Sequence, residues 1–493
     1  MPFLIEHITE VVLTIVMMVL LGTGALVALA IGRRQRRERF FERLDDLRQR
    51  YSPVVAATLN RKIEYERGLE ALKGISGLDR LYFLEQLFFE KTPSAAQIPL
   101  LRQLCEDLGL VQNWQSQLSG RIDVASLRDT LARPEGLINR VGRLNFLLRA
   151  KAAENLGVIR HQPSWPLLVK ALNDPHADVE SVAARSLAAI GEPESFPALL
   201  DRLTAILVGS SSHLSLRSIK TALVSFPLRE AQRLMTSLRH ENPRIRFLTV
   251  DIIREMAERE GALDEDFTLD ASIFGPELGE AFLTHCCFDD NPDVRARSAP
   301  IISYLSDVRA TPVLLTLLDD PQWFVRLHTV RSLAKRKFLS QTDALARRLT
   351  DPHWLVREAA AQTLLVFGRA GVDQLSDHML QTQDRYSREQ IADRMQRAGL
   401  IPALLAQYAA SGSDREARVF GQLAEMGKTS YLVATLISSS DRNLRKKFLL
   451  DFGRVPDHKI RGWVRKLITI EPDDDIRNLA ASIITATAQE EGG

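Results

Sequence analysis

One phrase, written twice between residues 320 and 357, constrains the fold more than any other feature of the chain. Asp320-Pro321 is followed after three residues by Val325-Arg326, and Asp351-Pro352 is followed in the same way by Val356-Arg357, 31 residues later. An Asp carboxylate can cap the free amides at a helix start, and Pro, which has no N–H, fits the first helical turn. Apolar or small residues follow each Val at helical spacing. Each copy therefore predicts a short amphipathic helix.

Drifted copies of this phrase occur on both sides of the pair. They lie at Asp174-Pro175, where Glu180 takes the Arg position, at Asn242-Pro243 and Asn291-Pro292, where the gap is two residues shorter, at Leu444-Arg445, which lacks the Pro, and at Pro472. A period of about 30 to 40 residues built from two short helices is typical of a helical solenoid. The sequence therefore predicts an all-α fold, an α-solenoid of helical pairs.

The repeats resemble those of HEAT-repeat proteins, and the segments that end at Gly157 and Gly191 resemble the short bacterial repeats also found in phycobilin lyases. The resemblance covers roughly residues 131–488 and is strongest at 149–200 and 288–368. It implies a ladder of polar contacts between the Asp and Arg of neighbouring repeats. The framework residues that it implies are Asp174, Asp320, Arg326, Asp351 and Arg357. Glu180 and the missing Pro before Leu444 weigh against ladder contacts at the two ends of the array.

The N-terminal segment predicts a single membrane anchor. The 22 residues from Val11 to Gly32 carry no charge, and as a helix they would span about 33 Å. A cleaved signal peptide is the alternative, because Ala28-Leu29-Ala30 resembles a cleavage site. Against it, Glu6 and Glu10 precede the run and no Lys or Arg does.

The arginines from Arg33 to Arg39 predict the orientation of the anchor. By the positive-inside rule, a short N-terminal tip lies outside and the C-terminal solenoid lies in the cytoplasm, which makes the chain a single-pass protein of a bacterial inner membrane. The same arginines could also bind anionic lipid. Gly24, Ala28 and Gly32 fall on one face and would let a second helix approach closely, although anchors also tolerate small residues at random.

These features predict six segments. They are a tip at 1–10, a transmembrane helix at 11–32, a basic juxtamembrane helix at 33–53 that Ser52-Pro53 ends, a membrane-proximal helical cap at 54–130, the solenoid at 131–488 and a tail at 489–493. Cys105, Cys286 and Cys287 form neither a metal spacing nor a disulfide framework, which fits a reducing compartment.

The sequence offers little that indicates catalysis. His240-Glu241 is an isolated His-Glu pair, and His285 beside Cys286 lacks a second Cys/His pair at zinc spacing. We therefore predict no catalytic, cofactor or metal residues and interpret the His/Cys group as buried structure. An enzyme of a lyase-like or metal-dependent HEAT kind, built on these four residues, remains the alternative.

Two groups of residues are candidates for partner binding. Trp323 and Trp354 occupy the same place in consecutive repeats and form either an aromatic ridge or, as we favour, inter-repeat packing. Residues 441–466 hold nine Lys/Arg against three Asp, and three further Asp follow at 473–475. The second group is either a balanced solvated face, which we favour, or a docking patch for an acidic partner. Its candidate residues are Arg442, Arg445, Lys446, Lys447 and Trp463.

Nucleic-acid binding is disfavoured by the charge balance. Removing residues 1–50, with 8 Arg and 6 acids, leaves 56 basic and 56 acidic side chains of the 64 and 62 in the chain. A neutral array does not attract a polyanion in bulk, which leaves residues 441–466 as the one place for such binding. We therefore expect a membrane-anchored scaffold that binds or positions protein partners. A membrane enzyme or an export assembly, such as one making an exported polysaccharide, is the kind of host that would suit it.

Overall fold

The protein is helical throughout the part of the chain that the structure describes. The computed structural model describes residues 2–77, 80–120, 145–209, 214–261, 274–336, 341–411 and 414–491. These residues form helices joined by short turns, which confirms the predicted all-α fold. The chain divides into two compact units, Met1–Arg233 and Leu234–Gly493. This division falls inside the predicted solenoid, whose predicted start at residue 131 lies outside the described residues.

The first unit contains ten of the described α-helices. They are α1 (Pro2–Leu59), α2 (Tyr65–Lys73), α3 (Arg80–Phe88), α4 (Ile98–Asp107), α5 (Leu110–Leu118), α6 (Asn145–Val158), α7 (Trp165–Ala171), α8 (Ala177–Ile190), α9 (Phe196–Val208) and α10 (Leu216–Val224). Helices α5, α6, α8 and α10 stack in one layer, and α7 packs beside α5 and α8.

The second unit continues the pairing of helices. Its described α-helices are α11 (Met235–Leu238), α12 (Pro243–Gly261), α13 (Pro276–Thr284), α14 (Pro292–Ile302), α15 (Ala310–Leu317), α16 (Trp323–Arg336), α17 (Thr342–Arg347), α18 (Trp354–Val366), α19 (Arg369–Gln381), α20 (Arg385–Arg397), α21 (Ile401–Ser411), α22 (Asp414–Glu425), α23 (Ser430–Ser438), α24 (Arg442–Phe452), α25 (His458–Ile470) and α26 (Asp474–Glu491). Helices α12, α14, α16, α18 and α20 stack in sequence.

The apolar positions of the repeated phrase form the core between these stacked helices. In α16 the side chains of Val325, Val330 and Leu333 are fully buried, and the hydroxyl of Thr329 donates to the Val325 carbonyl at 2.8 Å. The equivalent residues of α18 are likewise buried. Because each helix buries its face only against its neighbours, the core is continuous along the stack.

Helix α1 joins the apolar segment to the first unit without a break. Its Val12–Gly32 segment is long and apolar enough to cross a membrane, and its side chains are exposed. Eight residues later, Phe40 and Leu44 are buried, and the Phe40 ring stacks on Phe83 of α3 with 5.3 Å between centroids. The predicted tip at 1–10 is the first part of the same helix.

The prediction that Ser52-Pro53 ends the basic helix is wrong. Helix α1 continues through Pro53 to Leu59. A proline inside a helix removes one backbone hydrogen bond and costs about 3 kcal/mol. Leu44 and Val55 are buried on either side of it, and each such side chain contributes about 1.5–3 kcal/mol. Packing of α1 against α2 and α3 therefore offsets the cost of the proline.

Polar contacts connect the N-terminal helices with the first repeats. Asn155 of α6 donates to buried Glu85 of α3 at 2.7 Å, and Arg102 of α4 donates to the Ile159 carbonyl at 2.8 Å. Phe83 and Phe88 are buried, in agreement with a role in packing. Helices α3 and α4 thus contact the stack near the end that begins with α5 and α6.

The repeated phrase begins its helix two residues later than its Asp suggests. Helices α16 and α18 start at Trp323 and Trp354, so Asp320 and Asp351 lie outside them. The Asp351 carboxylate instead accepts from the backbone N–H of His353 at 2.9 Å, and His353 caps the helix. In the copy with the shorter gap, Asn291 itself is the cap and Pro292 is the first helical residue. The helix cap is therefore two residues after the Asp in the long-gap copies and the Asn itself in the short-gap copy, which explains the two gap lengths.

Gly157 of α6 marks the closest approach of two stacked helices, and its replacement by Ala should destabilise the first unit. A Cβ there would lie 2.6 Å from the Ser186 Cβ and 2.8 Å from its Cα. Since a backbone atom cannot move away cheaply, we expect Gly157→Ala to lower the free energy of unfolding by about 1–3 kcal/mol.

Gly462→Ala is the matched control for this measurement. Nothing lies within 4 Å of a Cβ added at Gly462, which is inside helix α25, so this change should stabilise by up to about 1 kcal/mol. Urea denaturation followed by circular dichroism measures both. Equal effects of the two changes would show that α6 and α8 are not in close contact.

Candidate functional site

Arginines and acids of neighbouring repeats form bidentate ion pairs along the array. We call each pair a rung and the series the ladder. In the best-buried rung, Arg326 Nε donates to Asp351 Oδ2 and Nη2 donates to Oδ1, both at 2.7 Å. The Arg326 side chain is 11% exposed and that of Asp351 is 0% exposed. Paired N–H groups in this fork geometry make strong, directional bonds to a carboxylate.

Five rungs of this form occur among the described residues. They are Arg149–Asp174, Arg246–Asp289, Arg295–Asp320, Arg326–Asp351 and Arg445–Glu471. The expectation that Glu180 and the missing Pro before Leu444 weigh against ladder contacts is therefore wrong at the C-terminal end, whereas at Glu180 the normal rung is indeed replaced. At the C-terminal end Glu471 replaces Asp, and at the N-terminal end Glu180 forms a reversed pair with Arg202 at 2.7 Å.

The ladder arginines of the second unit also bind their own repeats. Arg326 Nη1 donates to the Asp320 carbonyl at 2.8 Å, six residues before it, and Arg295 does the same to the Asp289 carbonyl at 2.7 Å. In four of the five rungs the acid lies six residues before the arginine of its own repeat, and the exception is Asp174, which is followed by Glu180 at that spacing. That spacing was the sequence signal for Asp289, Arg295 and Glu471, and the Asn242-Pro243 copy of the phrase was the signal for Arg246. We did not predict these four as framework residues.

The rung sets the ionisation of its carboxylate. Burial raises the pKa of Asp351, but the hydrogen bonds from Arg326 and from the His353 backbone, with the charge of Arg326, outweigh it, and the pKa lies below its ordinary value. The pKa of Asp174 is lowered in the same way through Arg149 and His176. The carboxylates of Asp351 and Asp174 therefore stay charged in the folded protein near neutral pH.

Trp323 and Trp354 have different roles despite their matching positions. The Trp323 ring stacks on His353 of the next repeat, with 3.8 Å between centroids and 7° between planes. Phe146 stacks in the same way on His176, at 3.5 Å. In the following repeat, Asp384 caps α20 at the position that matches His353, so no ring is present there for Trp354 to stack on. Trp354 is 57% exposed. Trp323 thus packs between repeats, whereas Trp354 is available at the surface.

The basic stretch at 441–466 is largely occupied by the protein's own acceptors. Arg442 forms an ion pair with Asp473, and Lys446 lies 3.7 Å from Asp475. Lys447 donates to the Tyr408 carbonyl at 2.6 Å. Arg445 is a ladder arginine, paired with Glu471 at 2.8 Å. These contacts give the stretch the character of a balanced face.

Trp463 is not a partner-binding residue, and its prediction as a candidate is wrong. Its side chain is 2% exposed, and its ring packs edge-on against Phe448 with 5.7 Å between centroids. The cause is the helix period, which places Trp463 with Ile460, Val464 and Leu467 on the buried face of α25.

The residues of the enzymatic alternative are either buried or have contacts that serve the fold. Burial raises the pKa of the Cys286 thiol to about 12, and that of Cys287 is raised well above its ordinary value for the same reason. The His240 ring accepts from the Asn242 backbone N–H at 3.0 Å, and the His285 ring lies 2.5 Å from the Thr284 hydroxyl. Within the described ranges, no three His, Cys, Asp or Glu side chains are grouped to hold a metal ion.

The small residues of the apolar segment lie on its exposed surface. Gly24, Ala28 and Gly32 belong to α1, and a Cβ added at Gly24 or Gly32 would meet nothing within 4 Å. Just beyond them Arg34 pairs with Glu38 at 2.8 Å, with both side chains largely exposed.

Comparison with known proteins supports the HEAT-like interpretation of the repeats. A family model described as HEAT repeats matches residues 134–206 and 280–365. No curated protein matches the chain. The two matched segments contain the rungs Arg149–Asp174, Arg295–Asp320 and Arg326–Asp351. These two segments of the chain are therefore similar to HEAT repeats.

Several solved helical structures are distantly similar to the chain. Kap121p bound to RanGTP is 12% identical, with a TM-score of 0.40, over 89% of this chain and 53% of that one. Importin beta is 11% identical, with a TM-score of 0.35, over 88% of this chain and 64% of that one. An engineered protein is 16% identical, with a TM-score of 0.30, over 76% of this chain and 99% of that one. The chain thus spans about half the length of Kap121p.

Removal of one ladder arginine should destabilise the second unit more than removal of the whole rung. We expect Arg326→Met to cost about 3 kcal/mol, because it leaves the buried Asp351 carboxylate with only the longer contact to Arg348, at 3.9 Å. The double variant Arg326→Met with Asp351→Leu removes both charges and should recover most of that loss. Urea denaturation followed by tryptophan fluorescence measures this. A double variant no more stable than the single one would contradict it.

Supplying a missing acid should stabilise the array. Thr382 lies six residues before Arg388, in the acid position that would serve Arg357, and its backbone (φ −72°, ψ 138°) resembles that of Asp351 (φ −56°, ψ 140°). We expect Thr382→Asp to complete a rung with Arg357 and raise the free energy of unfolding by about 1–2 kcal/mol.

Two controls separate the rung from a general charge effect. Thr382→Asn is similar in shape but uncharged, and Gln383→Glu adds the same charge one residue away, at an exposed position. Neither should reach the gain of Thr382→Asp. If Gln383→Glu stabilises equally, the gain does not come from a rung.

Proposed function

We propose that the protein is a membrane-anchored scaffold whose HEAT repeats bind or position protein partners and catalyse nothing. The observation that carries this proposal is the continuity of α1. One helix bears the exposed apolar segment Val12–Gly32 and also packs through Phe40 and Leu44 into the first unit. An apolar surface of this length is unfavourable in water and suits a bilayer.

The proposed orientation places the tip outside and the repeats in the cytoplasm of a bacterial inner membrane. Arg33 to Arg39 directly follow the apolar segment, and such a flank remains on the cytoplasmic side. Lipid binding by these arginines would be an accessory effect of the anchor. The ladder, which connects repeat to repeat, leaves the outer faces of the helices for partners.

The anchor predicts how the chain behaves on fractionation. Wild-type protein should remain with membranes after carbonate extraction and keep its N-terminal residues by intact mass, since the span is not removed. Deletion of residues 2–32 should release it in a folded form with nearly unchanged helical circular dichroism per residue. A mature chain that has lost about 30 residues and is soluble would identify the segment as a signal peptide.

Cysteine labelling tests the orientation with little background, because Cys105, Cys286 and Cys287 are all buried. We expect a membrane-impermeant maleimide to label Thr469→Cys, an exposed position, only after cells are broken. His7→Cys should be labelled in intact spheroplasts. The reverse result would overturn the orientation. Crosslinking in intact membranes with mass spectrometry then tests the scaffold, which requires a stoichiometric protein partner.

A further inference from the structure

The ladder lacks a carboxylate at Arg357. The Arg357 Nη1 group donates to the Asp351 carbonyl at 2.8 Å, as in the intact rungs, so the guanidinium is held in the ladder orientation. Its Nε group, however, donates to the side-chain carbonyl of Gln390 at 3.3 Å, where the intact rungs have a carboxylate at 2.7–2.9 Å. Gln390 carries no charge, so the cation is only weakly compensated.

The next repeat also meets an amide, although through Nη1, the group that in Arg326 and Arg357 binds the protein's own backbone carbonyl. Arg388, in the ladder position of α20, donates through Nη1 to the side-chain carbonyl of Gln422 at 3.1 Å. Two successive ladder positions of the second unit therefore end on an amide, before Arg445 and Glu471 restore the pattern.

Acids close to Arg357 are already committed to other cations. Glu358 forms an ion pair with Arg394 and accepts from Gln390 at 3.0 Å. Glu389 pairs with Arg385 at 2.8 Å. Across the ranges that the structure describes, no carboxylate lies within ion-pair distance of Arg357.

Two exposed aromatic side chains flank this gap. Trp354 is 57% exposed and lies one turn before Arg357 on α18. Tyr386 is 75% exposed and lies one turn before Gln390 on α20, and Gln390 Nε2 donates to the Trp354 carbonyl at 3.3 Å. Trp, Tyr and Arg are the residues that most often dominate protein–protein binding energies.

We propose that Arg357, Arg388, Trp354 and Tyr386 form a docking surface for an extended acidic segment of a partner protein. A Glu or Asp of that segment takes the carboxylate position that the ladder leaves open at Arg357, and a neighbouring apolar side chain contacts the two aromatics. This inference rests on the proposed scaffold function and names the chemistry of the partner.

The spacing of the two arginines suggests the spacing of the acids. Packed neighbouring helices lie about 8–10 Å apart, and an extended chain advances about 3.3 Å per residue. Two acids three residues apart would therefore be separated by about 10 Å and could reach Arg357 and Arg388 together.

A protein segment fits this surface better than a membrane or a nucleic acid. Binding to anionic lipid or to a phosphate backbone depends on many cations acting together. Here one or two preorganised guanidinium groups stand beside aromatics in a unit whose neighbouring charges are paired. That arrangement favours recognition of individual carboxylates.

The test measures binding of a fluorescent Gly/Ser peptide that contains Glu-Leu-Ala-Glu, and of its Gln-Leu-Ala-Gln twin, to the full chain in detergent by fluorescence anisotropy. We expect the Glu peptide to bind at least about tenfold more tightly, the effect of one charge-assisted hydrogen bond. Thr382→Asp, which fills the position from within the chain, should remove that difference while the protein remains folded. Arg357→Gln should also remove it.

Gln383→Glu is the matched control, because it adds the same charge beside the site but outside the acid position. It should retain most of the preference for the Glu peptide. Equal binding of the two peptides, or undiminished binding by Thr382→Asp, would overturn the inference. Stronger binding of anionic vesicles or of an RNA oligonucleotide than of the Glu peptide, lost in Arg357→Gln, would assign the surface to those ligands and also overturn it.

The crosslinking experiment distinguishes this site from the scaffold function itself. If partner crosslinks persist in Thr382→Asp at wild-type yield, the proposed scaffold function stands, but its binding surface lies elsewhere on the protein. Absence of any partner in both proteins would instead count against the scaffold.

Discussion

The second unit depends on an arginine that binds in two directions. Each ladder arginine holds the carbonyl six residues before it and, with its other two N–H groups, the acid of the next repeat. The first contact orders the turn that precedes the helix, and the second fixes the next repeat in register. Because the acid also accepts from the backbone of its own turn, one side chain connects helix start to helix start along the stack. A buried apolar face alone would permit sliding, whereas a bidentate pair permits one register.

The ladder also explains which surfaces are free. Rungs and the stacked pairs Trp323–His353 and Phe146–His176 occupy the edge where the turns meet. Three cations of the stretch at 441–466, Arg442, Lys446 and Lys447, serve the fold as well, through Asp473, Asp475 and the Tyr408 carbonyl. The gap at Arg357 is different, since the pattern there retains its arginine and loses its acid. A repeat protein can change its binding properties at such a place without disturbing its core.

Sequence reasoning succeeded where one period governs the structure. The spacing of Val325, Val330 and Leu333 predicted a buried helical face, and the structure buries all three. It failed at helix starts, because Asp-Pro can cap a helix or form the turn before it, and only the neighbouring arginine decides between them. It also failed at Pro53, where a local signal for a break is outweighed by packing on both sides. Prediction of the candidate site failed for the same reason. Trp323 and Trp354 occupy equivalent positions in the sequence, but different side chains surround them in the fold.

The sequence by itself determined the helical repeat, the apolar N-terminal segment and the overall balance of charge, because these follow from short-range period and composition. Tertiary structure alone decided which acid meets which arginine, that Trp354 is exposed while Trp323 packs on His353, and that Arg357 meets an amide. Those outcomes depend on the residue that the next repeat presents 25 to 43 positions along the chain, and stacking of the helices is what brings the two together.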